Sequence, residues 1–283
     1  MPVAARQFPI EWKAVNLLHL TDVHSFIAGN RHEGIDSDYG DLLSFIGHMH
    51  DLADERGVDL FVVNTGDIVD GTGMSDATPI AGEFLTPILQ MIPYDAMTIG
   101  NHELYEDATV ENLALPGGFL EHFGDRCVTS NQLFDEPREP LSARFSVIEG
   151  VNGARLLTFG FLYDFRDYCP KCHVADVEIV VQEPWLANAV AQYAAEVDGI
   201  VILAHMGFDN TAVELIRAAI RAAQPPALQV PLVFLAGHTH IRTFARLDDN
   251  AAVLESGRCA TLVSPAIMLV PCLLAAPLML TRA

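Results

Sequence analysis

Residues able to hold divalent cations occur in five short polar segments, each directly after an apolar run: Asp22-Val23-His24, Gly66-Asp67, Gly100-Asn101-His102-Glu103, His205 after Leu203-Ala204, and Gly237-His238-Thr239-His240. The set Asp22, His24, Asp67, Asn101, His205, His238 and His240 offers only carboxylate oxygen, amide oxygen and imidazole nitrogen. Zinc, manganese, iron and similar ions take these donors, and no thiolate is required. Two such ions roughly 3.5–4 Å apart need a shared anionic ligand to offset their repulsion, and Asp67, central in the order, suits that role. Asp22, His24 and His240 would then complete one ion, and Asn101, His205 and His238 the other. A water shared by two cations is acidified toward neutral pH, which gives a nucleophile for in-line attack on phosphorus. His102, one residue past Asn101, is left free to protonate a leaving oxygen or stabilise a transition state.

Singly, each fragment is common in proteins and more often structural than functional; their order carries the specificity. The runs that precede them, residues 15–20, 58–63, 96–99, 200–204 and 231–236, are predicted strands. Polar groups placed just past buried strands converge on one edge of a sheet, where strand ends in α/β architectures open onto a shared crevice. Residues 41–56 are a predicted helix with Leu42, Phe45, Ile46, Met49 and Leu52 on its apolar stripe, which leaves His48 and His50 to solvent. Further helices are expected over 83–91, from Pro184 with Trp185, Ala189, Val190, Tyr193 and Val197 inward, and from a Thr211/Glu214 capping box with Val213, Ile216 and Ile220 inward. Residues 144–149 and 155–161 read as a hairpin, and 116–140 as an outer loop.

The ordered segments resemble the pattern of the calcineurin-like metallophosphoesterase superfamily: D-x-H, G-D, G-N-H-[DE], H and G-H-x-H. Leu18-His19-Leu20-Thr21-Asp22-Val23-His24 and the stretch from Gly66 to Asp76 look like its 5′-nucleotidase and UDP-sugar hydrolase branch. A fungal-type subgroup is suggested by Asp38-Tyr39-Gly40-Asp41, Phe159-Gly160-Phe161-Leu162-Tyr163-Asp164-Phe165, Gly237-His238-Thr239-His240-Ile241-Arg242 and Glu255-Ser256-Gly257-Arg258. The resemblance spans about residues 15–260 and covers the catalytic domain only. It implies a four-layer α/β/β/α sandwich, a dinuclear centre and phosphate ester hydrolysis, with a nucleotide or similar small phosphate ester as substrate. A phosphodiesterase, a protein phosphatase, or a silent binding protein on the same scaffold are the competing readings. The pattern is departed from at Tyr105, where nucleotidases of this branch carry the Asp that orients the catalytic His. Protein phosphatases of the superfamily take that Asp from three residues past the bridging Asp, which is Asp70 here; Glu106 and Asp107 stand behind it as candidates.

With 283 residues, 51% of them hydrophobic, the chain can bury a large core and fits one catalytic domain, expected over 1–259. A formal net charge of −21 with only 16 Lys and Arg argues against a nucleic-acid polymer as partner. An acidic protein still binds a small phosphate ester when two cations invert the local field. Asn101 and Arg258 are candidate substrate contacts, Arg242 and Arg246 weaker ones, and Phe161, Tyr163 and Phe165 read mainly as packing. Residues 1–16 lack the apolar core of a secretory signal, whereas the resemblance implies a secretory or vacuolar location, with a cytoplasmic one as the alternative. Residues 260–283 form an apolar tail in which Pro265, Pro271 and Pro277 interrupt any smooth helix. The tail reads as an aberrant end in preference to a membrane-contacting anchor or a GPI-type signal. Cys169-Pro170-Lys171-Cys172-His173 matches the spacing of haem attachment and of thiol redox sites. A local disulfide or a pair of idle thiols is the simpler reading, and five cysteines leave at least one unpaired.

Overall fold

The computed structural model describes residues 11–29, 37–71, 73–257 and 268–271. Arg258, Cys259, Cys272 and most of the expected tail therefore lie outside the described residues. The strands, in chain order, are β1 (Val15–Leu20), β2 (Asp59–Asn64), β3 (Ala96–Met97), β4 (Gln132–Phe134), β5 (Phe145–Glu149), β6 (Arg155–Leu162), β7 (Cys172–Val174), β8 (Gly199–His205), β9 (Leu232–Ala236), β10 (Arg242–Asp248), β11 (Ala251–Ser256) and β12 (Met268–Pro271). The helices are α1 (Tyr39–Arg56), α2 (Gly73–Asp76), α3 (Thr86–Leu89), α4 (Asp107–Leu113), α5 (Phe119–Phe123), α6 (Val177–Val180), α7 (Pro184–Tyr193) and α8 (Thr211–Ala223).

Two sheets carry the molecule, ordered β12-β1-β2-β3 and β10-β11-β9-β8-β6-β5, with β4 and β7 forming a small ribbon beside them. Strands β1, β2 and β3 are parallel, as are β6, β8, β9 and β11. Their sequences are mainly apolar because both faces are covered, with Asn16 and His19 in β1 and Thr158 in β6 among the buried polar exceptions, and the strand period of two sends alternate residues to different layers. Leu17, Phe61 and Val63 of the first sheet meet Val201, Leu203, Val233 and Leu235 of the second in a core between the sheets. Their neighbours Leu18, Leu20, Leu60 and Val62 face α1 and the loops outside the first sheet. Ile200, Ile202, Phe234 and Ala236 face α7 and α8 outside the second. The result is the four-layer α/β/β/α sandwich expected of the sequence. The 145–149 and 155–162 strands pair antiparallel as a hairpin. Within the stretch read as a tail, β12 lies antiparallel on β1.

Several helices differ in detail from the sequence expectation. Helix α1 begins two residues early because Asp38 caps it, accepting from the backbone N–H groups of Gly40 and Asp41 while Asp41 caps in return. Its buried stripe is Tyr39, Leu42, Ile46, Met49 and Ala53, and Phe45 is on the outer side. In α8 the cap is Asn210, whose side chain accepts from the Ala212 N–H, and not Thr211; Glu214 instead pairs with Arg217. In α7 the buried face is Leu186, Ala189 and Val190, with Trp185 and Tyr193 half-buried against it. The 83–91 helix contracts to the single turn of α3, and the expected outer loop contains α5 and β4. No helix among the described residues is long and apolar enough to cross a membrane.

Candidate metal centre

The five parallel strands β1, β2, β3, β8 and β9 all end at the same rim of the sandwich. Each is followed by a tight loop: Asp22 and His24 after β1, Asp67 after β2, Asn101 and His102 after β3, and His238 and His240 after β9, with His205 the last residue of β8. Three overlapping groups of side chains converge there: Asp22, His24 and His240; His24, Asp67 and His102; Asp67, His205 and His238. Within each group the donor atoms lie within 4.8 Å of one another. Asp67 thus stands between a cluster on the β1 side and a cluster on the β8 side, and Asn101 Oδ1 joins the second at 3.2 Å from His205 Nε2.

The loops that achieve this are strained. Asp22, His24, Asp67, Asp70, His238 and His240 all have positive φ, between 47° and 78°, in the left-handed region that L side chains avoid. Apart from Ser25, they are the non-glycine residues with this backbone among those described. Such residues cost of order 1–3 kcal/mol each and persist only where the surroundings over-determine them. The neighbours here do so. The Asp22 N–H donates to the Gly66 carbonyl and the His24 N–H to the Asp67 carbonyl, both at 3.0 Å. The His238 N–H donates to the Asp22 carboxylate at 3.0 and 3.1 Å. Gly100 is required where these loops touch, since a Cβ there would overlap Asp67 Oδ1 and lie 2.8 Å from His205 Cε1.

Two buried carboxylates that ligate nothing brace the rim. Glu103 accepts from the backbone N–H groups of Asp67 (3.0 Å), Ile68 (2.7 Å), Val69 (2.9 Å) and Gly100 (2.7 Å), tying the loop after β2 to the loop after β3. Burial, together with the nearby charge of Asp67, pushes its pKa up against those four donors. Glu255, at the end of β11, accepts from the N–H and hydroxyl of Thr239 and from the Phe208 N–H, and so fixes the loop that carries His238 and His240. Sequence reading gave neither a role. Their signal was a carboxylate closing or adjoining an apolar strand, a place where a charge is retained only when backbone donors satisfy it.

The imidazoles are oriented for lone-pair donation. His205 Nδ1 donates to the Thr65 carbonyl at 2.7 Å and His24 Nδ1 to the Asp70 carbonyl at 3.2 Å. A carbonyl can only accept, so Nε2 of each ring is turned into the cluster. His24 Nε2 meets His240 Nε2 at 3.0 Å, and His205 Nε2 meets Asp67 Oδ2 at 3.0 Å. Burial of His205 alone would lower its pKa, but the charge and hydrogen bond of Asp67, with Asp22, push it up to about 10. Burial also holds His24 and His238 below the usual imidazole pKa, a shift in the direction of the neutral ring that ligates a cation. Facing imidazole nitrogens, buried carboxylates and an amide oxygen fit two divalent ions without rearrangement of ligand type.

His102 shares one group with His24 and Asp67 but belongs to neither of the outer two. Its backbone N–H donates to Asp67 Oδ1 at 2.9 Å, its Nε2 lies 3.9 Å from Asp67 Oδ2, and its ring is partly open to solvent. Nδ1 is hydrogen-bonded to Asp70 Oδ2 at 2.9 Å. Asp107 instead accepts from the Lys171 N–H, and Glu106 precedes α4 as its cap residue. Tyr105 contributes something the sequence reading overlooked. Its hydroxyl accepts from Asn101 Nδ2 at 2.9 Å, which turns Oδ1 of that amide toward His205, and its ring packs edge-on against His102 at 5.0 Å. Tyr163 lies against His238 at 4.5 Å, and Phe165 bridges the two tyrosines. Phe161 is core. Arg246 pairs with Asp249 on the surface, and Arg242 makes no ion pair with a described residue.

Among solved structures, the 5′-nucleotidase of Candida albicans superposes with a TM-score of 0.81 at 30% identity, over 89% of this chain and 47% of that one. Uncharacterized protein C1039.02 of Schizosaccharomyces pombe is 34% identical over 89% of this chain, and a protein of Arthroderma benhamiae named "Secreted protein" is 33% identical over 90%. The chain spans 42% and 39% of the lengths of those two relatives. The family model for calcineurin-like phosphoesterases matches residues 15–242, from the first residue of β1 to the first of β10 and through every segment of the centre. The chain belongs to the calcineurin-like phosphoesterase family.

Proposed function

We propose that the chain is the catalytic domain of a dinuclear metal-dependent phosphomonoesterase acting on nucleotides or similar small phosphate esters. The observation that carries this reading is the shared position of Asp67 between two ligand clusters, with His102 hydrogen-bonded to Asp70 beside them. Asp22, His24 and His240 would hold one cation, Asn101, His205 and His238 the other, with Asp67 common to both. When bound, the pair supplies Lewis acidity toward phosphoryl oxygen and the charge that offsets an acidic protein.

The chain's own residues then do the following. His102 reaches over the rim from a partly open position, so its Nε2 can give a proton to the leaving oxygen of a bound ester. Asp70 holds the ring by Nδ1, which fixes the direction of Nε2. Asn101, oriented by Tyr105, keeps its amide oxygen inward. Substrates of nucleotide type are supported by the likeness to the Candida nucleotidase, and a secreted location by the Arthroderma relative's name.

A panel of nucleoside 5′-monophosphates, an aryl phosphate, an aryl phosphodiester and a phosphopeptide, assayed with added manganese or zinc, tests the reading. The expected result is a kcat/KM for nucleoside monophosphates at least about tenfold above that for the diester and the phosphopeptide. Preference for the diester or the peptide would reassign the substrate class. Absence of all turnover in metal-loaded protein would leave a binding role.

A further inference from the structure

The Cys169-Pro170-Lys171-Cys172 segment plays no part in the centre, yet it lies directly beneath it. The Cys169 N–H donates to the Leu104 carbonyl at 2.8 Å, and Leu104 ends the short turn that begins with His102. The Cys172 N–H donates back to the Cys169 carbonyl at 3.3 Å, closing a turn that brings the two sulfurs to 3.7 Å. Both thiols are buried, at 5% and 1% exposure. The same segment is anchored on other sides: the Lys171 N–H donates to Asp107 Oδ1, Lys171 Nζ pairs with Glu111, and Cys172 opens β7 opposite Phe134 of β4. The loop before it carries Phe165, which packs on Tyr105, and Tyr168, which packs on Phe165.

From this geometry we propose that Cys169 and Cys172 are a disulfide-forming site, closed by exchange with a low-molecular-weight disulfide, and that the bond staples the floor of the catalytic turn. The fold holds the sulfurs in contact, so closing to the bonded distance of about 2 Å requires only a side-chain adjustment. In the exchange one Cys thiolate attacks the external disulfide and releases one thiol. The second Cys thiolate then attacks the mixed disulfide and releases the other, so two protein thiols become one disulfide as one external disulfide becomes two thiols. Burial pushes both thiols above their ordinary pKa, which disfavours the attacking thiolate in the closed native structure. The bond therefore forms as the chain folds or when the segment opens, and is slow to exchange afterwards. This distinguishes it from an exposed redox switch.

The sequence supplies a direct readout. Trypsin cuts after Lys171, so Cys169 and Cys172 fall on different peptides that stay joined only if the disulfide is present. The full chain, reduced in urea, is brought to equilibrium with reduced and oxidised glutathione at an oxidising ratio, one sample refolding into native buffer and the other held in urea, and both are then acid-quenched, alkylated and digested. The expected result is the linked peptide in the native sample, with an equilibrium constant for its formation at least about tenfold above that in urea, since native geometry pre-positions the sulfurs. The reduced protein should melt roughly 4–8 °C lower than the oxidised one, and Cys169→Ser/Cys172→Ser should melt at one temperature whatever the reductant. A native constant no greater than the unfolded one, or two alkylated cysteines in native protein at the oxidising ratio, would overturn the proposal. Neither measurement depends on catalysis, so its outcome is separate from that of the activity panel.

Discussion

At the scale of single residues, the strain at Asp22, His24, Asp67, His238 and His240 and the hydrogen bonds that sustain it leave little freedom for the side chains they carry. His102 lies outside that constraint, in a short helical turn, with Asp70 as the hydrogen-bond partner of its Nδ1. His102→Ala is expected to lower kcat by roughly 10²–10⁴-fold with metal content unchanged, since the proposed role gives it a proton to donate to the leaving oxygen and no cation to hold. Asp70→Asn should cost less, about tenfold in kcat with KM little changed, and Asp107→Asn should do nothing measurable. Elemental analysis beside steady-state kinetics separates these outcomes, and metal loss on His102→Ala would make that residue a ligand. Tyr105→Phe tests the hydroxyl that fixes Asn101: affinity for the more weakly held ion should fall by about 10–100-fold on metal titration, with the fold intact by circular dichroism. Ligand types and their order were legible in the sequence because metal donors are chemically distinctive. The Tyr105 contact was not, since a hydroxyl hydrogen-bonded to an amide leaves no spacing rule behind.

At the scale of elements, the parallel strands were readable because a strand covered on both faces is mostly apolar. Helix ends were less so: α1 is capped from Asp38 and α8 from Asn210, and each helix contained another polar residue at a competing cap position. Short pieces such as α3 and β4 exist by tertiary packing, and local propensity has little to say about them. The element that matters most for the centre is the seam between the loops after β2 and β3, held by Glu103. Glu103→Gln replaces two acceptor oxygens by one oxygen and an amide donor that faces backbone N–H groups. The expected loss is about 3 kcal/mol in urea unfolding of the metal-free protein. A loss below about 1 kcal/mol would show that the seam is held elsewhere.

At the scale of the whole molecule, both sheets contribute candidate ligands, three strands from one and two from the other, so the clusters exist only when the sandwich is assembled. Asp67 is where the two contributions meet, and four buried carboxylates of a chain of net charge −21, Asp22, Asp67, Glu103 and Glu255, lie at this rim. The sequence order gave the participants, whereas the meeting point follows from sheet packing, which no local pattern encodes. Metal stoichiometry tests the central claim most directly: wild-type protein and Asp67→Asn, each saturated with manganese or zinc, desalted and analysed for bound metal per folded chain. A shared carboxylate predicts two ions per wild-type chain and fewer than one in Asp67→Asn. A wild-type chain that retains none, or an Asp67→Asn chain that retains both, would contradict it.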